Sequence, residues 1–185
     1  MNKRQAPPGL SGGLEHSFSC SALTGEDSTY FRECKRKTRD KNMERISKDK
    51  YYINIAQSVS ARSTCLKRQY GCVIVKDDEI IATGYNGSAR GEPNCCDVYE
   101  KCPRLNAEHN SGNYGDCPAV HAEQNAMLSA SRNRMIGATL YIAGKEYTED
   151  NGFVEMTECT PCPICERMIR NAGIARVVGP QNIKD

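Results

Sequence analysis

Apolar residues fall at regular spacing only from about residue 47 onward. Tyr52, Ile55, Ala56 and Val59 follow the i, i+3, i+4, i+7 pattern of one buried helix face. Ser47 precedes them as an N-cap, with Asp49 in the first turn, so a helix is expected over Ser47–Arg62. The β-branched runs Val73-Ile74-Val75 and Ile80-Ile81 flank Asp77-Asp78, which predicts an antiparallel hairpin of Tyr70–Val75 and Glu79–Tyr85. A second helix is expected over Ala119–Arg132. A strand follows over Ala138–Ala143, where Thr139, Tyr141 and Ala143 alternate with Leu140 and Ile142. A third helix is expected over Cys162–Asn171, with Gly173 past its end as a stop, and a last strand over Ile174–Val178. Two polar stretches interrupt this order. One is an excursion from Gly144 to Thr157 around Asn151-Gly152. The other is a loop that opens at Tyr85-Asn86-Gly87-Ser88 and runs to Pro118. An opening hairpin followed by alternating helices and strands predicts an α/β domain of three layers, α/β/α. Its last two strands, each preceded by a helix, should be parallel neighbours in a mixed central sheet.

Residues 1–46 carry no such pattern. Met1 to Asp40 is rich in Gly, Ser, Pro and charge, and reads as a disordered extension ahead of a folded domain over 47–185. The run Cys34-Lys35-Arg36-Lys37-Thr38-Arg39 reads as part of a solvated tail, its other reading being an arm that contacts nucleic acid. Met43 lies just before the first periodic segment and is a candidate natural start. The net charge of +2 leaves no overall basic footprint for nucleic acid. No apolar run approaches the ~20 residues that span a bilayer, and no signal-peptide core is present at the N-terminus. The eleven cysteines are odd in number and come without an export signal, which points to a reducing cytoplasm and to metal-bound thiolates instead of disulfides.

The chemistry concentrates in Ala119-Val120-His121-Ala122-Glu123-Gln124-Asn125-Ala126 and, some forty residues on, Thr160-Pro161-Cys162-Pro163-Ile164-Cys165. One imidazole and two thiolates suit a tetrahedral Zn²⁺ whose fourth position is open to water. Glu123, two residues after His121, is near enough to handle protons without being a ligand. Helix-forming sequence follows each half, so both ligand groups should sit at helix N-termini, where the dipole lowers thiol pKa.

His121-x-Glu123 with Pro161-Cys162-x-x-Cys165 resembles the signature of the zinc-dependent cytidine/deoxycytidylate deaminase superfamily. The resemblance runs from about Lys50 to Val178 and implies a cytidine-deaminase-like fold. The implied activity is hydrolytic deamination of a cytosine nucleotide, with dCMP favoured. His121, Cys162 and Cys165 would be the zinc ligands, and Glu123 the proton carrier. The cysteine run Cys159-x-x-Cys162-x-x-Cys165 contains two overlapping pairs; the superfamily pattern selects the second and leaves Cys159 as a small core residue. Ser63-Thr64-Cys65-Leu66 and Gly84-Tyr85-Asn86-Gly87 are similar to a branch that carries a structural zinc beside the active site. That similarity implies a four-thiolate site of Cys65, Cys95, Cys102 and Cys117, with Cys96 or His109 as possible replacements. It also implies Asn86 as a nucleotide contact, although Asn86-Gly87 alone reads as a turn. Arg132 matches an arginine that follows the same motif in family members and is a candidate for the phosphate; its other reading is a cation that suits a helix C-terminus. A homo-oligomer is implied by the family as well. The chain stops soon after Val178, so a fifth edge strand is not expected.

Two other classes stay in view. One is a deaminase of another base, such as tRNA adenosine or polynucleotide cytosine, which would need a basic groove. The other is a non-catalytic zinc-stabilised protein of this fold, in which Glu123 would have no task.

Overall fold

A computed structural model describes residues 45–107 and 117–183. The N-terminal stretch through residue 44, with its basic run and Met43, lies outside the described residues, as does His109.

The first helix, α1 (Lys48–Ser60), starts where the sequence predicts: the Ser47 hydroxyl accepts from the Lys50 N–H at 3.2 Å. It leads into β1 (Arg68–Lys76) and β2 (Glu79–Tyr85), an antiparallel hairpin whose turn residues Asp77 and Asp78 both have positive φ, 50° and 69°. Aspartate tolerates that left-handed conformation better than most side chains. The long loop then carries β3 (Gly87–Ser88) and a single helical turn, α2 (Cys95–Val98).

The expected helix from Ala119 is built differently. Ala119–Val120 form β4, paired with β3. His121 is the N-cap of α3 (Ala122–Leu128), and a separate turn, α4 (Arg132–Met135), follows. Ser129 and Ser131 account for the break. The Ser129 hydroxyl donates back to the Asn125 carbonyl at 2.9 Å, and Ser131 takes the N-cap position of the new turn with extended backbone, its carbonyl accepting from the Arg134 and Met135 N–H groups.

The polar excursion is also ordered. β5 (Thr139–Thr148) continues past the expected end at Ala143 and turns back as β6 (Gly152–Glu155), with Lys145 opposite Glu155 and Tyr147 opposite Phe153. Charged residues hid this hairpin from a hydrophobic-pattern reading. Helix α5 (Pro163–Ala172) has Cys162 as N-cap, Pro163 in its first turn and Gly173 at its C-cap with φ 82°. The chain then adds β7 (Arg176–Val178) and a 3₁₀ turn, Pro180–Asn182.

The strands run β2-β1-β5-β6, and β7 lies parallel to the first part of β5. One sheet face, with Val73, Val75, Tyr141, Ala143 and Val178, packs on Tyr52, Ile53 and Ala56 of α1. The other, with Cys72, Ile74, Leu140 and Ile142, packs on Ala122, Ala126 and Met127 of α3 and Ile169 and Ala172 of α5. This is the three-layer α/β/α arrangement with a mixed sheet. Gly84 lets α3 approach: a Cβ there would lie 2.3 Å from the Ala126 nitrogen and 2.4 Å from the Ala122 oxygen. That contact sets the height of α3, and so of His121 and Glu123, above the sheet.

Candidate metal centre and nucleotide cleft

The two motif halves meet at the starts of α3 and α5. His121 Nδ1 lies 3.5 Å from Cys162 Sγ and 3.4 Å from Cys165 Sγ. Among the described residues, this is the one group of three or more candidate ligand atoms all within 4.8 Å of one another. Zinc bonds of ~2.3 Å to sulfur and ~2.05 Å to nitrogen, at a tetrahedral angle, would separate N from S by about 3.6 Å. The observed spacings match that value, so the residues fit a zinc ion.

Local structure holds each ligand. The His121 N–H donates to Gln124 Oε1 at 2.9 Å, and its carbonyl accepts from Asn125 N–H at 3.0 Å. The Cys165 N–H points at Cys162 Sγ, 3.5 Å away. Burial and the Arg104 charge depress the His121 pKa, which keeps the imidazole neutral and able to ligate. At Cys165 the expected lowering by the helix end does not prevail. Burial, followed by the charges of Glu123 and Cys162, raises its pKa, so the thiol by itself holds its proton, and a bound metal would have to displace it. Cys159 is buried among apolar neighbours, and burial pushes its thiol up to about 12. Its backbone is held from the C-terminal turn: Cys159 N–H donates to Gln181 Oε1, and Gln181 Nε2 donates to the Cys159 carbonyl, both at 3.1 Å.

Glu123, in the first turn of α3, is only 4 % exposed. Burial raises its pKa, opposed by hydrogen bonds to its own backbone and to Cys165. A cleft opens in front of it, bordered by His121, Cys162, Asn86, Tyr70 and Ile142, with Lys67, Arg68 and Arg104 as its cations.

The other expected residues divide. Asn86 lines the cleft, 7 % exposed, and its side chain is a structural hub. Its Oδ1 accepts from Ser63 Oγ at 2.8 Å and from Tyr70 N–H at 2.7 Å, while Nδ2 donates to the Arg68 carbonyl at 2.8 Å. Arg132 is not on the cleft wall; its Nε donates to the Asn171 carbonyl at 3.4 Å, an exposed contact. Cys65, Cys102 and Cys117 border the cleft, and Cys95 is buried close by. Their charges would act on one another, but they do not close to ligand distance among the described residues. Cys96 is exposed. Sequence reasoning missed the cleft cations Lys67, Arg68 and Arg104. Lys67 donates to the Arg104 and Ala107 carbonyls, and Arg68 Nε donates to Glu146 Oε1 at 2.8 Å. The position of Lys67 and Arg68, just after Cys65, was the signal available.

A mixed sheet between helices, with a His-x-Glu and a Cys-x-x-Cys at facing helix starts, defines the class of metal-dependent base deaminases. The sequence model of the cytidine and deoxycytidylate deaminase zinc-binding region matches residues 46–179, and the chain belongs to that family. A deoxycytidylate deaminase of Mycobacterium phage D29 is 36% identical over 145 residues, covering 75% of this chain and 98% of its own. The deoxycytidylate deaminases of Schizosaccharomyces pombe and Saccharomyces cerevisiae are 37% and 38% identical over 74% and 76% of this chain. The chain spans only 38% and 39% of those two yeast proteins. Among solved structures, the dCMP deaminase of cyanophage S-TIM5 in apo form superposes with a TM-score of 0.50 at 27% identity, covering 71% of this chain and 80% of that one. No helix among the described residues is long and apolar enough to cross a membrane.

Proposed function

We propose that this protein deaminates dCMP hydrolytically to dUMP and ammonia, with zinc held by His121, Cys162 and Cys165. The observation that carries the reading is the meeting of those three ligand atoms within 4.8 Å beside the buried carboxyl group of Glu123, on the wall of an open cleft. Bound there, zinc supplies Lewis-acid activation of water as the nucleophile. Glu123 takes the proton released from that water and delivers it to N3 of cytosine as oxygen adds to C4. It then carries a proton to the departing amine, so water and dCMP leave as dUMP and ammonia with the carboxylate restored. A carboxyl group with a raised pKa suits both halves of that task.

The substrate is a nucleotide because the cleft has cations at its border. Lys67, Arg68 and Arg104 are the groups that meet its phosphate, a role for which the family resemblance offers Arg132 as a candidate. Names of the relatives favour the deoxycytidine monophosphate. Asn86 keeps one N–H beyond those it uses internally, and that donor serves the nucleotide.

The same reading includes a second, structural zinc held by Cys65, Cys95, Cys102 and Cys117. Its support is the neighbourhood of these thiols, whose charges act on one another. It also includes a cytoplasmic location, to which the cysteine usage points, a homo-oligomer, as the family resemblance implies, and a folded domain preceded by an extension at residues 1–46. Ammonia release with dCMP, cytidine, dCTP and single-stranded DNA tests the activity. Turnover of dCMP above the others is expected; preference for single-stranded DNA, or no release from any of them, sinks the proposal.

A further inference from the structure

Tyr70 stands on β1 directly opposite Gly144 of β5. A Cβ built on Gly144 would lie 2.7 Å from the Gln69 carbonyl oxygen, and 2.7 Å from Cδ1 and 3.1 Å from Cε1 of the Tyr70 ring. The ring therefore shares the space of the missing side chain with the Gln69 carbonyl. Glycine inside a strand weakens it, so this placement of an aromatic ring has a cost. The ring packs on the core beneath α3 and lines the cleft with Asn86, His121 and Glu123.

A second cost lies at the tip of the ring. The Tyr70 hydroxyl is closed to bulk water and has no hydrogen-bond partner among the described residues. A buried polar group left unpaired carries an uncompensated desolvation cost, which phenylalanine would avoid while filling nearly the same volume. The other two tyrosines that pack against the sheet differ. Tyr52 donates to Asp78 at 3.0 Å and Tyr141 to Asp49 at 2.9 Å. Burial keeps the Tyr70 phenol protonated, so it can donate. Glu123 is near enough to act on it electrostatically, but the hydrogen bond of that carboxyl group goes to Cys165.

We propose that Tyr70 is a substrate-binding residue whose hydroxyl takes its partner from the nucleotide, donating to an oxygen of the cytosine ring or of the sugar. The inference rests on the reading of the cleft as a cytosine-nucleotide site. The unpaired hydroxyl, buried behind a ring that lines the active cleft, then has a use: the bond forms only when substrate is present.

Tyr70→Phe removes the hydroxyl alone and is read on the zinc-loaded full chain. We expect kcat/KM for dCMP to fall about tenfold, chiefly through KM, while the melting temperature stays equal or rises because an unpaired group has gone. Kinetics within about twofold of the wild type would overturn the proposal, as would a fall in melting temperature, which would mean that the hydroxyl is already bonded in the free protein. Repeating the comparison with 2′,3′-dideoxycytidine monophosphate identifies the partner. If the gap closes, the hydroxyl binds the sugar 3′-oxygen; if it persists, it binds the base. Wild-type protein that releases no ammonia from dCMP would sink the activity reading alone. The Tyr70 comparison would then be made on whichever of cytidine, dCTP or single-stranded DNA is turned over, or on dUMP binding by calorimetry.

Discussion

The two ends of β1 carry polar clusters of opposite character. At the Lys76 end, every principal group has a partner. Arg176 donates to the two oxygens of Asp49 at 3.1 and 2.6 Å, Tyr141 donates to the same carboxylate, Tyr52 donates to Asp78, and Lys48 pairs with Asp78. At the Arg68 end, three metal-type ligands converge, a carboxyl group is buried, and the hydroxyls of Tyr70 and Thr64 have no hydrogen-bond partner among the described residues. Buried polar groups that satisfy one another hold a fold together; groups left unsatisfied await something from outside. The closed cluster joins α1, the β1–β2 turn, β5 and β7. The open one is where chemistry is expected.

The contrast is broken most severely at the metal ligands. His121→Ala and Cys162→Ser should each lose the catalytic zinc together with activity. Glu123→Gln should keep the zinc while kcat drops by ~10²–10⁴, the usual worth of a positioned proton carrier. Metal analysis beside kinetics separates the two outcomes, and loss of zinc from Glu123→Gln would assign that residue a structural role instead.

A smaller loss is expected at the thiols beside the cleft. Metal analysis of the wild type should give about two zincs per chain if the four-thiolate site forms, since closed tetrathiolate sites hold zinc strongly. Cys102→Ser should remove one of them, lower the melting temperature and expose the chain between Gly91 and Pro118 to protease. The catalytic zinc should stay. A wild-type content near one zinc with full activity removes the second site.

The closed cluster should answer in stability alone. Asp49→Asn should cost about 1 kcal/mol at neutral pH, a modest value because the pair with Arg176 is partly exposed. The Arg176 guanidinium holds the Asp49 carboxyl below its ordinary value. Its stabilisation is therefore complete above the ordinary carboxylate range and is lost as pH falls through the depressed value. Wild type and variant should differ in melting temperature at pH 7 and converge in acid, with kcat/KM for dCMP unchanged. A difference that persists at low pH would trace the effect to packing.

The smallest effect is expected from removing residues 1–42, which lack apolar periodicity. Melting temperature and kcat/KM should match those of the full chain. A clear loss of activity would return that stretch to the mechanism.

Much of the molecule was legible wherever the determining contacts are local. Ser47 as a cap, Asp77-Asp78 as a hairpin turn and Gly173 as a helix stop all work through neighbours a few residues away. The β5–β6 hairpin was not legible, because Lys145, Glu146 and Glu155 do not alternate with apolar residues; pairing across the hairpin and the Tyr147–Phe153 contact hold it instead. The break in the expected helix at Ser129 was also hidden. Its apolar positions continue through Ala130, and a serine does not announce a helix end as glycine or proline does.

The sequence by itself determined which residues are candidate donors, the carboxyl group two positions from one of them and the helix start behind each half, because ligand type and helix capping are written within a few residues. Only the tertiary structure decided that His121 meets two cysteines some forty positions away, that Arg68 and not Arg132 borders the cleft, and that Tyr70 faces a glycine. Those relations follow from the register of β1 on β5 and from how closely α3 sits on Gly84. Register and helix height arise from packing of the whole core, which no single stretch of chain encodes.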